Sequence, residues 1–327
     1  MASVRFASLA LCGACAAAPW ASVAAADAYP VKAIRLIVPF APGGGADIMG
    51  RAIGQRLSMS LQQAVVIENR AGAGGRIGAE LVAKAPGDGY VLFLGTTSTL
   101  VWAPAMYDKL NYDAIRDFAP VAPFASAFTV LVVHPSIPAK SVRELIALAK
   151  ARPGQLNYAS SGTGAPAHLA AELFNHMAGV KTAHVPYKGS APGTIALISG
   201  EIDLMFSNVL PALSPVKSGK MRALAVTSIK RSAVLPELPT VAESGLPGFE
   251  VYVFYGVVAP APTPREIVAR LHAEIARALQ STDVTERLGS DGAEPMLSSG
   301  PDEFARIIRS ETDKWSGLIR RAQIRGD

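Results

Sequence analysis

The residues of this 327-residue chain whose types and spacing could do chemistry gather in loops between apolar runs and helical patterns. One is Pro39-Phe40-Ala41-Pro42-Gly43-Gly44-Gly45-Ala46-Asp47. Its glycines let backbone N–H groups turn toward a ligand, and the N-terminus of the helix that follows favours negative charge. A carboxylate suits such a loop, and a side chain placed at Gly44 would block the approach of the backbone. The alternative is a tight strand-to-helix turn capped by Asp47. The absence of Gly-Lys-Ser/Thr argues against a nucleotide P-loop.

A second loop, Tyr158-Ala159-Ser160-Ser161-Gly162-Thr163-Gly164-Ala165-Pro166-Ala167-His168, is rich in hydroxyls and backbone donors and could hold a carboxylate in the same way. Ser160 or Ser161 with His168 as base would be the start of a nucleophilic hydrolase, but the Gly-x-Ser-x-Gly elbow is missing. Gly72-Ala73-Gly74-Gly75-Arg76-Ile77-Gly78 is one residue too long for a dinucleotide fingerprint and reads as a structural turn. His168, Glu172 and His176 share a helix face at i, i+4 and i+8, without the His-Glu-x-x-His spacing or the further ligand that zinc needs. They read as a surface or interlobe face, and no metal or cofactor is expected. His134, His184 and His272 are isolated and read as packing or capping residues.

The elements that must position these loops alternate along the whole chain. Strands are expected near 34–38, 64–68 and 90–94, with helices near 47–57 and 74–83 between them. A second set has strands near 129–133, 156–159, 181–185, 202–206 and 223–227. Its helices lie near 142–151, where Ser141 and Glu144 suit a capping box, and near 167–177 and 193–198. A Pro-rich stretch at 236–247, a strand near 251–258 and helices near 265–279 and 301–322 complete the pattern. Strands separated by single helices favour parallel crossovers with helices on both sheet faces, an α/β fold. No Gly/Ser tether divides the chain, so crossings between two lobes are expected on extended segments near 126–130 and 227–231. That arrangement places a cleft between the lobes.

The first residues read as a cleavable secretory leader: Arg5, an apolar run from Phe6 to Ala18, then Ala24-Ala25-Ala26 before Asp27. Cys12 and Cys15, the two cysteines of the chain, both fall in it, and neither follows a convincing lipobox. The part after residue 26 therefore can form no disulfide and is expected to be a soluble periplasmic or secreted protein stabilised by burial. The formal charge of +5 becomes +4 without Arg5. It is spread among acids, unlike the clustered basic patch with interleaved aromatics that nucleic acid would require.

Read together, the motifs resemble the Bug family of periplasmic receptors for tripartite tricarboxylate transporters. The resemblance runs in order through Tyr29-Pro30, the Pro39–Asp47 loop with Arg51, Glu68-Asn69-Arg70-Ala71-Gly72-Ala73-Gly74-Gly75 and Asp88-Gly89-Tyr90. It continues through Asp117-Phe118-Ala119-Pro120, His184-Val185-Pro186-Tyr187-Lys188-Gly189, Gly219–Val226 and Leu238-Pro239-Thr240-Val241-Ala242-Glu243-Ser244-Gly245. It implies a two-lobed, type II Venus-flytrap binding protein rather than an enzyme. Lobe 1 would comprise 27–126 plus 229–327, and lobe 2 would comprise 127–228. A small organic acid or related solute would be held between them by backbone amides, hydroxyls and bridging waters. By resemblance the site is Phe40, Ala41, Gly44 and Asp47 with Ser160, Gly162, Thr163, Gly164 and His168. Thr96, Thr97, Ser98, Ser126, Tyr187 and the end of the strand that closes on Ser207 stand nearby. The implied partner is an inner-membrane permease, and the receptor would act as a monomer. Two departures bear on the ligand: Ala165-Pro166 stands where the family usually has serine, and Val101-Trp102-Ala103-Pro104 replaces a more usual Ile-Asn-Pro.

Overall fold

The computed structural model describes residues 29–290, 292–322 and 324. The leader expected at 1–26, with Cys12 and Cys15, lies outside the described residues. The chain opens as β1 (Ile34–Val38), α1 (Gly45–Leu61), β2 (Val65–Asn69), α2 (Arg76–Ala83) and β3 (Val91–Thr96), with β1 parallel to both β2 and β3. Four of the five β1 residues are buried, so the strand is sandwiched between helices. A π-helical turn, Ser98–Trp102, then runs into α3 (Ala103–Met106).

The next strand, β4 (Phe118–Val133), is the main departure from the sequence reading, which expected only its last five residues. Pro120 and Pro123 hid the rest, because proline cannot donate to a ladder. The strand accommodates them at two register shifts against its neighbour, between Pro120 and Ala122 and between Pro123 and Ala125. The chain continues through α4 (Val142–Ala151), β5 (Asn157–Ser160), α5 (Pro166–Ala178), β6 (Ala183–Pro186), α6 (Ser190–Ser199), β7 (Leu204–Asn208), α7 (Val209–Lys217) and β8 (Arg222–Val226). Helix α4 starts on its expected cap, where Ser141 Oγ accepts the N–H of Glu144 at 3.2 Å. The Glu144 carboxylate reaches back to the N–H of Lys140, one residue before the cap. Helix α7, with Pro215 inside it, was not expected. The chain ends with β9 (Tyr252–Pro260), α8 (Arg265–Ala278), the unexpected α9 (Thr282–Ser290), β10 (Ala293–Pro295) and α10 (Pro301–Arg321).

The strands form one curled sheet in the order β2-β1-β3-β9-β4-β7-β5-β6, with β8 and β10 also paired to β4. Strand β4 is its spine. Residues 118–128 run antiparallel to β9, and residues 129–133 run antiparallel to β7 and β8. Beyond it, β5 is parallel to β6 and β7. This is the two-lobed α/β architecture, with parallel strands in each lobe and an antiparallel middle that the crossover argument did not foresee. A large core runs from the β1–β3–β9 half into the other, where it includes Leu131, Leu145, Phe174 and Phe206, and a smaller one under α6 and α7 joins Val130, Val132, Leu197, Met205 and Val226.

Partway along its length β4 passes Thr227. The Thr227 hydroxyl accepts the N–H of Thr129 at 2.9 Å and reaches the carbonyl of Val251 at 2.8 Å, and the Thr227 N–H donates to the Thr129 carbonyl at 2.9 Å. After Thr227 the chain stays beside β8: Val226 donates to Pro239, and Val241 donates to Val226, both at 2.9 Å. On the far side of the first lobe, Trp102 and Trp315 of α10 meet edge to face with ring centroids 5.1 Å apart, both fully buried.

Candidate functional site

Loops from both lobes meet in the cleft. Its lining includes Phe40, Gly44, Gly45, Ala46, Thr96, Val253 and Tyr255 from the first half. Ser161, Pro166, Ala167, Ser190, Phe206 and Asn208 come from the second, and Thr129 comes from the crossing strand. None of these residues carries a charge. The lobes are closed on each other, leaving about 20 Å³ of water-accessible space, room for about one water molecule. The contact is close: a Cβ at Gly189 would lie 2.7 Å from that of Ala41, and a Cβ at Gly74 would strike the carbonyl of Thr163. Gly74 also has φ +64°, so both its conformation and its contact call for glycine.

Four helices point their N-termini into this neutral space. Helix α1 starts at Gly45, α5 at Pro166, α6 at Ser190 and α7 after Asn208. Their N-cap residues, Gly44, Ala165, Gly189 and Asn208, make no side-chain cap bond. Helix α4, far from the cleft, is capped by Ser141. First-turn N–H groups have no partner within their own helix, so the four ends combine backbone donors with the positive ends of helix dipoles. That arrangement recognises an anion or another strong acceptor without a cationic side chain.

Of the residues expected in the site, Phe40 and Gly44 line the cleft. Gly44 is less confined than expected, since a Cβ there would sit 3.5 Å from Ser190 Oγ, an ordinary contact. The close approach belongs to Gly45, where a Cβ would lie 2.5 Å from Asn208 Nδ2 and 2.9 Å from Tyr255 Oη. Asp47 acts behind the loop rather than as a cap at its start. It accepts from the Gly43 N–H, from Arg51 and from Asn69, each at 3.0 Å. Burial pushes its carboxyl up, but the Arg51 guanidinium, the Gly43 amide and the Asn69 amide outweigh this and hold it below the ordinary aspartate range.

The second loop is likewise built from its own polar groups. Ser160 is buried, with its Oγ 2.6 Å from His184 Nε2 and accepting the Gly162 N–H at 3.0 Å. His168 accepts the Gly164 N–H on Nδ1 at 3.2 Å and lies 4.4 Å, centroid to centroid, from His184. The serine–histidine pair therefore involves His184, not His168, and the serine is shut off from the cleft. Glu172, expected to share a face with His168, accepts the Tyr158 hydroxyl at 2.6 Å. Gly162, Thr163 and Gly164 face Gly74 and Tyr107 of the other lobe.

The remaining expected residues sit around the cleft rather than on its wall. Thr97 Oγ1 accepts the Phe254 N–H at 2.9 Å, pinning β3 to β9. Ser98 is buried in the π-turn, whereas Thr96, expected beside it, does line the cleft. The Tyr187 hydroxyl turns to Glu201 at 3.0 Å. Ser207 alternates with Phe206 and Asn208 along β7 and so faces the opposite side. Ser126 lines a different cavity, of about 400 Å³, with Phe128, Lys230 and Tyr252. Tyr252 and the cleft residues Val253 and Tyr255 stand on opposite faces of β9, so this cavity lies behind the crossing strands. The sequence reading missed Ser190, Asn208, Val253 and Tyr255. The glycine before Ser190, in Tyr187-Lys188-Gly189, was the available signal for the first of them.

The model of the tripartite tricarboxylate transporter family receptor matches residues 49–324. Protein BugT of Bordetella pertussis is 39% identical over 301 residues, covering 92% of each chain. Among solved structures, Rpa4515 of R. palustris with adipate is 39% identical with a TM-score of 0.87, over 91% of this chain and 99% of that one. MatC of Rhodopseudomonas palustris with bound malate is 34% identical with a TM-score of 0.84, over 89% of this chain and 100% of that one. With its two-lobed fold and its uncharged, donor-lined cleft, this chain belongs to the tripartite tricarboxylate transporter receptors, a family of periplasmic solute-binding proteins and not of enzymes.

Proposed function

We propose that the protein captures a small organic acid between its lobes and delivers it, as a monomer, to the inner-membrane permease of a tripartite transporter. The observation that carries this reading is the convergence of four helix N-termini without side-chain caps on a cleft that has no charged lining residue. An acid in that position is held by backbone N–H groups and dipoles, with Thr96, Thr129, Ser161 and Ser190 supplying hydroxyls. The adipate and malate held by Rpa4515 and MatC support the substrate class. Phe40, Ala41 and Gly44 contact the solute from lobe 1, and Gly162, Thr163 and Gly164 come near it from lobe 2. Asp47, Ser160 and His168 hold those loops in shape, with Thr97, Ser98, Ser126, Tyr187 and Ser207 in the surrounding frame.

Closure is a hinge motion about the two crossings, and a ligand favours it to the extent that it binds the closed form better. We keep the first crossing near 126–130. The bonds of Pro239 and Val241 to Val226 argue for moving the second from 227–231 to about Val251, leaving 229–250 on lobe 2. The leader directs export and is removed near Ala26; among the described residues no helix is long and apolar enough to cross a membrane.

A thermal-shift panel of mono-, di- and tricarboxylates, aromatic acids and their amides tests the reading on the chain from Asp27. A ligand at one hundred times its Kd stabilises the protein by about 2.7 kcal/mol, a clear rise in Tm. No shift with any acid would remove the receptor reading's substrate.

A further inference from the structure

The cleft holds one side chain whose conformation the fold itself does not require. Asn208 occupies the N-cap of α7, where asparagine ordinarily turns its Oδ1 onto an N–H of the first turn. Here it makes no cap bond. Its Oδ1 instead accepts the hydroxyl of Ser190, at the start of α6, at 3.3 Å. This anchor fixes the amide plane and sends Nδ2 across the cleft to lobe 1, where it lies against the α-carbon of Gly45 and beside Tyr255 Oη. The side chain has given up a stabilising cap and presents a donor at the point where α1, α6 and α7 begin.

We infer that Asn208, positioned by Ser190, is a specificity-determining residue that reads an acceptor oxygen of the bound acid and distinguishes a carboxylate from its uncharged amide. This rests on the solute-receptor reading above. It assigns to lobe 2 a side-chain reader beside the backbone donors of the glycine loop. Asparagine suits the task because Nδ2 donates without adding a charge, leaving the helix ends to supply the field that favours the anion. Aspartate at 208 would keep the shape, turn the donor into an acceptor and set a negative charge against the ligand's own.

The test measures Kd for adipate, malate and adipamide by titration calorimetry on wild type, Asn208→Asp, Asn208→Ala and Ser190→Ala, each checked for folding by its melting curve. Asn208→Asp is expected to lose adipate by more than about tenfold, the scale of one charge-assisted hydrogen bond, while adipamide binding falls less. The acid-to-amide preference therefore narrows or inverts. Asn208→Ala is expected to narrow the same ratio, which keeps the question answerable should the aspartate variant not fold. Ser190→Ala is expected to weaken the acid a few-fold by releasing the anchor. Folded variants of Asn208 whose acid-to-amide ratio stays within about twofold of wild type overturn the assignment while leaving the receptor reading intact. Should wild type bind another acid of the thermal-shift panel instead, the same ratio is measured with that acid and its amide; a wild-type protein that binds no acid of the panel overturns both.

Discussion

Gly45 and Asp47 stand two residues apart and do different work, one at the cleft and one behind it. At Gly45 a methyl group would meet Asn208 only when the lobes are together, while Tyr255 Oη, the far end of a side chain in its own half, can shift aside. Gly45→Ala is therefore expected to weaken adipate binding by about tenfold, or ~1.4 kcal/mol, with Tm nearly unchanged. Gly44→Ala, facing an ordinary 3.5 Å contact, is expected to bind close to normally; calorimetry on the pair checks the contrast. At Asp47 the signature is pH. Its folded carboxyl titrates below the ordinary value of about 4, so its contribution is complete above that value and disappears as pH falls through the lower, folded pKa. Asp47→Asn is expected to lower stability near neutral pH by about 1.5–3 kcal/mol, with the difference from wild type shrinking in acid, as urea titrations across pH 2–7 would record. The glycine-rich loop was legible in the sequence as a strand-to-helix turn, but the close approach at Gly45 rather than Gly44 was not. That choice depends on which α-carbon Asn208 approaches from 163 residues further along the chain.

Elements read well from sequence where periodicity and punctuation agreed. The bounds of α4 follow from Ser141, Glu144 and an apolar face of Val142, Leu145 and Ala149. They read poorly where proline interrupted a ladder, as in the first part of β4, or lay inside a helix, as at Pro215 of α7. The loss mattered because the N-cap of α7 is Asn208, so an unforeseen helix carried an unforeseen site residue. The sequence pointed to extended segments near 126–130 and 227–231, but not to the bonds that join them. One buried hydroxyl there ties Thr129 and Val251, the two segments on which the lobes connect. Thr227→Val keeps the volume and leaves the Thr129 N–H and the Val251 carbonyl without that partner. It is expected to cost about 2–3 kcal/mol in urea unfolding, more than an exposed Thr→Val change.

Across the whole molecule, charge and ligand recognition are kept apart. The arginines and lysines of this basic chain pair with acids on the surface, as Arg35 does with Glu68 and Arg231 with Glu243, while the cleft wall carries none. Composition showed only a small positive charge spread among acids, and the sequence could not show that four helix ends meet at the cleft. The two-lobed plan was legible because strands and helices alternate throughout. The curl of the sheet about β4 was not, since antiparallel partners such as β9 come from more than a hundred residues away.

The buried pair of Trp102 and Trp315 gives the first lobe its own optical voice. The third tryptophan of the chain, Trp20, lies in the expected leader, so the exported form carries indoles only in this edge-to-face contact. Its ultraviolet emission would follow the docking of α10 against the π-turn and stay nearly silent as solute enters the cleft. An indole introduced on lobe 2, at exposed Ile195, would give that lobe a separate colour by which the two halves could be watched melting one after the other.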